Sequence, residues 1–202
     1  MAIKAVVFDL YQTLIYCREQ NHAYSNMFKQ LGLDEAERIA ARKLTRVENF
    51  ESLKALAARV KPEGTADFET LGRALAAELA SAICYPETIS VLRRLRKQGL
   101  RLGMISNLGT AYKKPVFDLG LDQYMEAMIF SCDIGLIKPD PLIFQSMIKS
   151  LGLKPWEILM TGDLFPKDVQ APRSVGMQAI HLDRVNFSAG SIASLEGIFQ
   201  YL

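Results

Sequence analysis

Asp9 ends a short apolar run, Ala5-Val6-Val7-Phe8, and is followed by Leu10-Tyr11-Gln12-Thr13-Leu14. A run this short and this apolar reads as a strand buried on both faces. Open α/β sheets hold their ligands just beyond the carboxyl ends of such strands, where a carboxylate can act as a nucleophile. Three further strand or loop ends carry polar chemistry: Ser106-Asn107, Lys138, and Asp163 with Asp168 close behind. In a parallel sheet these ends converge, bringing together a carboxylate, a hydroxyl with an amide, an ammonium and two more carboxylates. Such a set suits attack on an anionic group, because Lys138 and a metal would offset the repulsion between nucleophile and substrate. Asp9, Asp163 and Asp168 are hard oxygen donors of the kind that suits Mg²⁺.

The elements needed to position these residues follow from hydrophobic periodicity. Tyr24, Met27, Phe28 and Leu31 mark one helix, and Ile39, Ala40, Leu44 and Val47 the next. Phe50, Leu53, Ala57 and Val60 continue the pattern to the break at Lys61-Pro62-Glu63-Gly64, and Phe68, Leu71, Leu75 and Leu79 form another stripe. No strand is expected within residues 16–84. From Pro86 the texture alternates: a helix with Ile89, Leu92 and Leu95, a break at Gly99, a strand from Leu100 to Ser106, a helix, a strand from Ala127 to Ser131 and a helix from Pro139. A strand from Ile158 to Thr161, a short helix, a strand from Met177 to Leu182 and a helix-like end with Ile192, Leu195, Ile198 and Phe199 complete it. This alternation predicts an α/β fold, a doubly wound parallel sheet with helices on both faces. Residues 1–15 and 85–202 would form that core, and residues 16–84 an inserted all-helical cap. Asn186 to Ser191 reads as a loop.

In order and spacing, the polar ends resemble the four motifs of the haloacid dehalogenase (HAD) superfamily of hydrolases. Asp9 matches the first motif, Ile105-Ser106-Asn107 the second, Ile137-Lys138-Pro139-Asp140-Pro141 the third, and Gly162-Asp163-Leu164-Phe165-Pro166-Lys167-Asp168 the fourth. The resemblance implies a Rossmann-like core with a helical cap and an Asp9 nucleophile that forms a covalent aspartyl intermediate. It also implies that Ser106 and Asn107 bind the transferring group, that Thr13 supports the loop after the nucleophile, and that the Tyr11 carbonyl joins Asp9, Asp163 and Asp168 around Mg²⁺.

Tyr11 divides the activities this resemblance allows. Phosphatases of the superfamily usually carry a second Asp at that place as general acid and base, whereas Asp-x-Tyr resembles the metal-independent 2-haloacid dehalogenases. A phenol with a pKa near 10 can donate a proton but is a weak base at neutral pH, and the ring can instead pack between core and cap and lend only its carbonyl. The fourth motif is phosphatase-like. Three activities follow: Mg²⁺-dependent hydrolysis of a small phosphorylated metabolite, which the fourth motif favours; 2-haloacid dehalogenation; or a weakly active binding protein, to which Pro166 and Pro172 lend weight as unusual residues around a fourth motif. Arg38, Arg42 and Arg46 recur on one helix face. If that face overhangs the site, Arg42 or Arg46 would hold an anionic substrate group.

Bulk properties narrow the partners. Lys and Arg total 24 against 22 acids, which gives no field to hold nucleic acid or an anionic membrane. The three cysteines lack metal-type spacing, and free thiols are expected for Cys17 and Cys84 as for Cys132. With no signal-like or membrane-spanning run, a cytoplasmic enzyme acting on a small, anionic molecule is expected. Nothing in the sequence points to an oligomeric state. Arg93, Arg94, Arg96 and Lys97 read as a solvated helix end, Trp156 as packing, and Met104, Met147 and Met160 as core.

Overall fold

In a computed structural model describing residues 2–186 and 188–202, the chain begins with β1 (Ala5–Phe8) and β2 (Ile15–Cys17). Helices α1 (Ala23–Gln30), α2 (Glu35–Val47), α3 (Leu53–Val60) and α4 (Phe68–Ala80) follow, and then β3 (Ala82–Cys84) and α5 (Thr88–Lys97). The remainder alternates: β4 (Arg101–Ser106), α6 (Lys114–Asp118), β5 (Ala127–Phe130), α7 (Ser131–Ile134), α8 (Pro141–Leu151), β6 (Ile158–Gly162), α9 (Ala171–Ser174) and β7 (Gln178–His181).

The expected parallel sheet is present, in the order β5-β4-β1-β6-β7. Phe8 is level with Met104 of β4 and with Thr161 of β6, so Asp9, Ser106 and Asp163 emerge from adjacent carboxyl ends. The chain runs from β1 to β4 and β5 on one side and returns to β6 and β7 on the other. Their shared edge is therefore the reversal point where open α/β sheets bind ligands. Alternation of side chains explains why β1 is apolar throughout. Ala5 and Val7 join one buried cluster with Phe144, Met147 and Met160, while Val6 and Phe8 join the opposite one with Leu92, Leu95 and Met104.

Helices α1 to α4 enclose a third cluster around Met27, Phe28, Leu56 and Leu71. Asp34 and Glu37 form a reciprocal capping box at the start of α2, fixing the helix that carries Arg42 and Arg46. Two expectations for this block need correcting. Strands β2 and β3 fall inside or across residues 16–84 and pair antiparallel, Ile15 opposite Cys84 and Cys17 opposite Ala82. Three-residue strands carry too little periodicity to stand out from a helical context. Phe50 precedes α3 because Ser52 caps that helix by accepting from the Ala55 N–H.

Elsewhere the sequence expectations and the structure differ at element ends. α8 starts at Pro141, with Asp140 accepting from the Leu142 N–H at 2.9 Å. The C-terminal turn, Leu195–Gln200, is 3₁₀ rather than α, and Ile192 pairs instead with Leu182. Phe187, within the expected loop from Asn186 to Ser191, lies outside the described residues. Met104, Met147 and Met160 are fully buried, whereas Trp156 is 41% exposed beside Lys154. Arg93, Arg94 and Arg96 bond to Tyr124, Glu196 and the Gln123 carbonyl, all structural contacts. The cysteines are free, and no helix among the described residues is long and apolar enough to cross a membrane.

Because Phe144 is fully buried against Ile143 and Met147 beneath the sheet, Phe144→Ala is expected to lower the unfolding free energy by about 3–5 kcal/mol. Urea titration measures it, and a loss under about 1 kcal/mol would contradict the packing described.

Candidate functional site

The Lys138 ammonium lies 2.7 Å from Oδ1 of Asp9 and 2.6 Å from Oδ1 of Asp168, and it is only 3% exposed. Each partner is held by backbone. Asp9 follows β1 and donates its N–H to the Thr161 carbonyl at 3.0 Å. The Lys138 loop is clamped by Asn107, whose Nδ2 donates to the Lys138 carbonyl and whose Oδ1 accepts from the Lys138 N–H, both at 2.8 Å. Asp168 sits in a π-helical turn, Phe165–Gln170, and accepts from the Leu164 N–H at 3.0 Å. A Cβ on Gly162 would lie 2.5 Å from Cγ of Asp168, so only glycine lets β6 end this close to the carboxylate.

Pro166 and Pro172 are the second residues of the π-helical turn and of α9, respectively. First-turn N–H groups have no partner within their own helix, so Pro166 is accommodated without loss, whereas Pro172 follows helical Gln170 and Ala171, where α9 continues directly from the π-helical turn. Local geometry thus explains Pro166.

Carboxylate oxygens of Asp9, Asp163 and Asp168 all lie within 4.8 Å of one another. The three carboxylates share one buried ammonium, with Arg46 and Lys167 further out on the cleft wall, and the all-oxygen donor set fits a small divalent cation. The electrostatics agree with that fit. Burial pushes the Asp9 carboxyl up from its ordinary range, and the Asp168 charge adds to this against the pull of Lys138. Burial opposes the Lys138 charge, but the Asp9 and Asp168 carboxylates outweigh it and hold the ammonium above the ordinary lysine range. Burial, followed by repulsion from Asp9 and Asp168, raises half-buried Asp163 to about 6.

A cleft of about 210 Å³ opens onto this centre, with Asp9, Ser106, Lys138, Asp163, Gln12 and Arg46 among its walls. A second cavity of about 410 Å³ lies between the sheet edge and the helical block, where Arg42, Arg46, Glu78, Tyr24 and Tyr112 line it. Tyr11, Gln12, Arg46 and Asn107 border both. Of the two candidate arginines, Arg46 therefore faces the acidic centre and Arg42 only the outer cavity, where it also lies 3.6 Å from Glu35. Arg38 pairs with Glu35 at 3.1 Å and borders neither.

Tyr11 turns its hydroxyl away from the centre, donating to the Tyr112 carbonyl at 3.0 Å with the rings edge to face. Burial, then the neighbouring Cys17 and Glu78, drives its pKa far above the ordinary tyrosine value. Such a phenol keeps its proton at neutral pH and has no free direction in which to donate it. Asn107 is committed to the Lys138 backbone rather than turned wholly toward the cleft. Thr13 is fully buried; among the described residues its hydroxyl has no partner, while its carbonyl accepts from Arg184 at 3.0 Å. Ser106 is buried at the end of β4.

Gln12 went unnoticed in the sequence. It adopts a left-handed backbone, φ 62°, and its Oε1 accepts from the Tyr85 hydroxyl at 3.1 Å. Its place directly after Tyr11 was the available signal, since such tight strand-to-loop turns commonly demand glycine. Gly162 was visible as part of a motif, but its contact with Asp168 depends on the π-helical turn, which no local pattern announces.

A model of haloacid dehalogenase-like hydrolases matches residues 3–176 of the chain. A glyceraldehyde 3-phosphate phosphatase of Methanopyrus kandleri is 33% identical over 101 residues, which is 50% of this chain and 43% of that relative. The chain thus spans less than half the length of that curated relative. A crystal structure of a HAD phosphatase from Thermococcus onnurineus is 26% identical with a TM-score of 0.69, covering 98% of this chain and 97% of the other. A 2-haloacid dehalogenase from Pseudomonas syringae pv. Tomato DC3000 has the same TM-score of 0.69 at 21% identity, covering 98% and 97%, which is a likeness of fold.

Two outcomes test this geometry. Gly162→Ala must displace the Asp168 carboxylate and weaken its pairing with Lys138, so a loss of about 3–5 kcal/mol is expected, as when a buried pair is broken. A near-neutral urea midpoint would refute the close approach. Asp163, raised to about 6, favours the folded state when protonated, so its contribution is present below its ordinary pKa and lost as pH rises through about 6. In EDTA, the melting temperature of Asp163→Asn should fall less than that of the wild type between pH 5 and pH 7.5; parallel profiles would contradict the shift.

Proposed function

The chain belongs to the haloacid dehalogenase-like hydrolase family, and within it we propose that it is a Mg²⁺-dependent phosphatase of a small phosphorylated metabolite. The observation that carries this reading is the cluster of Asp9, Asp163 and Asp168 around one buried ammonium, an oxygen-rich centre that a metal-independent reaction would not need. The phosphatase names of relatives and of a structural neighbour support it.

In this reading the Asp9 carboxylate attacks phosphorus, the bond from phosphorus to the ester oxygen breaks, that oxygen leaves with the bonding pair and takes its proton from water, and an aspartyl phosphate remains. Lys138 orients Asp9 and spreads positive charge toward the phosphoryl oxygens, and Ser106 donates to the same group. Asn107 acts chiefly by fixing Lys138. Asp9, Asp163, Asp168 and the Tyr11 carbonyl would hold Mg²⁺, which when bound neutralises negative charge on nucleophile and substrate. Tyr11 otherwise packs between the sheet edge and the helical block. We propose residues 16–84 as a cap over the core formed by 1–15 and 85–202. The outer cavity would seat the body of the substrate, with Arg46 and Arg42 toward its anionic parts. With no carboxylate at position 11 to protonate the leaving group, substrates with good leaving groups should turn over fastest.

A paired assay tests the reading: phosphate release from a panel of phosphomonoesters with and without Mg²⁺, beside halide release from 2-chloropropionate. Metal-dependent phosphate release that Asp9→Asn abolishes is the expected result. Metal-independent halide release, lost in the same variant, would sink it in favour of dehalogenation, the activity to which Asp-x-Tyr and an arginine at the cleft also point.

A further inference from the structure

We propose that Gln12 orients the water that hydrolyses the aspartyl phosphate, a role resting on the phosphatase reading above. Gln12 holds φ 62°, a region that costs any residue with a Cβ and that glycine enters freely. Strain kept at a loop bordering a reactive centre points to a side chain worth keeping. That side chain borders both the cleft and the outer cavity, the position between the phosphoryl site and the space a departing alcohol leaves to water.

The amide is anchored at one end only. Tyr85 donates to Oε1, leaving a second lone pair there, and among the described residues nothing accepts from Nε2. Tyr85 is itself fixed by the Arg184 guanidinium, 3.7 Å above its ring, and by the Tyr16 ring at 4.8 Å. Arg184 in turn bonds to Glu87 at 2.7 Å and to the Thr13 carbonyl at 3.0 Å, tying the anchor back to the nucleophile loop. Of the other polar groups on the cleft wall, the Tyr11 phenol is committed to Tyr112 and Asn107 to the Lys138 backbone, Ser106 is assigned to the phosphoryl group and Asp163 to the metal, and Arg46 and Lys167 are cations that cannot accept from water.

A carboxamide cannot take a proton, but it can accept from water and donate to it, and glutamines orient attacking water in other phosphoryl transfers. The water oxygen bonds to phosphorus as the bond from phosphorus to the Asp9 oxygen breaks. The bonding pair returns to the Asp9 carboxylate, and the water proton passes to a phosphoryl oxygen, giving inorganic phosphate.

Gln12→Gly separates this role from a structural one, because removing the Cβ relieves the backbone. With p-nitrophenyl phosphate and Mg²⁺, the variant should melt no lower than wild type and release a burst of nitrophenol near one equivalent per site. Steady turnover should then be slower by about 10²-fold, with hydroxylamine-sensitive phosphoenzyme accumulating. Steady turnover within about twofold of wild type, slow turnover without a burst, or a lowered melting temperature would each overturn the proposal. Wild-type protein that yields no Asp9-dependent nitrophenol release would instead bring down the phosphatase reading, and this inference with it.

Discussion

One buried ammonium, Lys138, holds the site together. Its two contacts reach carboxylates from neighbouring strands at the sheet centre, Asp9 after β1 and Asp168 after β6, and all three side chains are nearly excluded from water. Removing such charges from solvent costs several kcal/mol per ion, and only close pairing with further hydrogen bonds offsets it. The surrounding structure supplies those conditions. Asn107 fixes the lysine backbone, the Leu164 N–H satisfies the far oxygen of Asp168, and Gly162 leaves room for the carboxylate to approach.

The same constraint explains what the sequence revealed. Asp9, Ser106, Lys138 and Asp163 were legible because parallel strands bring their carboxyl ends to one edge, so polar residues after separate apolar runs need only a topology to meet. The topology followed from the alternation beyond Pro86. The clamp by Asn107 was not legible, since nothing local says whether an amide after a strand faces a ligand or a neighbouring loop. The β2–β3 ribbon escaped because three residues hold less than two periods of alternation. Gln12 escaped for a different reason: its importance lies in a dihedral angle, and glutamine gives no sign of φ 62°.

Tyr11 is where residue identity and geometry had to be read together. By type alone, a tyrosine two residues after the nucleophile left open proton transfer, dehalogenase chemistry, or an aromatic that packs between core and cap and lends only its carbonyl. Its hydroxyl bonds to the Tyr112 carbonyl and its ring meets Tyr112 edge to face, in the aromatic contact that links the nucleophile loop to the segment after β4. Tyr112 extends the chain by donating to Glu78 of α4 at 2.9 Å, and Glu78 also accepts from the Asn21 and His22 N–H groups ahead of α1. The side chain at position 11 thus joins the sheet edge to the helical block.

That substitution has a chemical consequence. In the proposed phosphatase reaction, forming an aspartyl phosphate needs a desolvated carboxylate and compensation of charge, which the burial of Asp9 and its pairing with Lys138 would supply without a proton donor at position 11. Its hydrolysis needs a placed water, and placement is a matter of hydrogen-bond direction rather than basicity. On that proposal, a site with an aromatic strut in place of an acid/base residue would keep its first half-reaction and complete the second through another polar group on the same loop. The loop from Asp9 to Thr13 offers such a group at Gln12, which follows the strut directly with a left-handed backbone and lines both cavities.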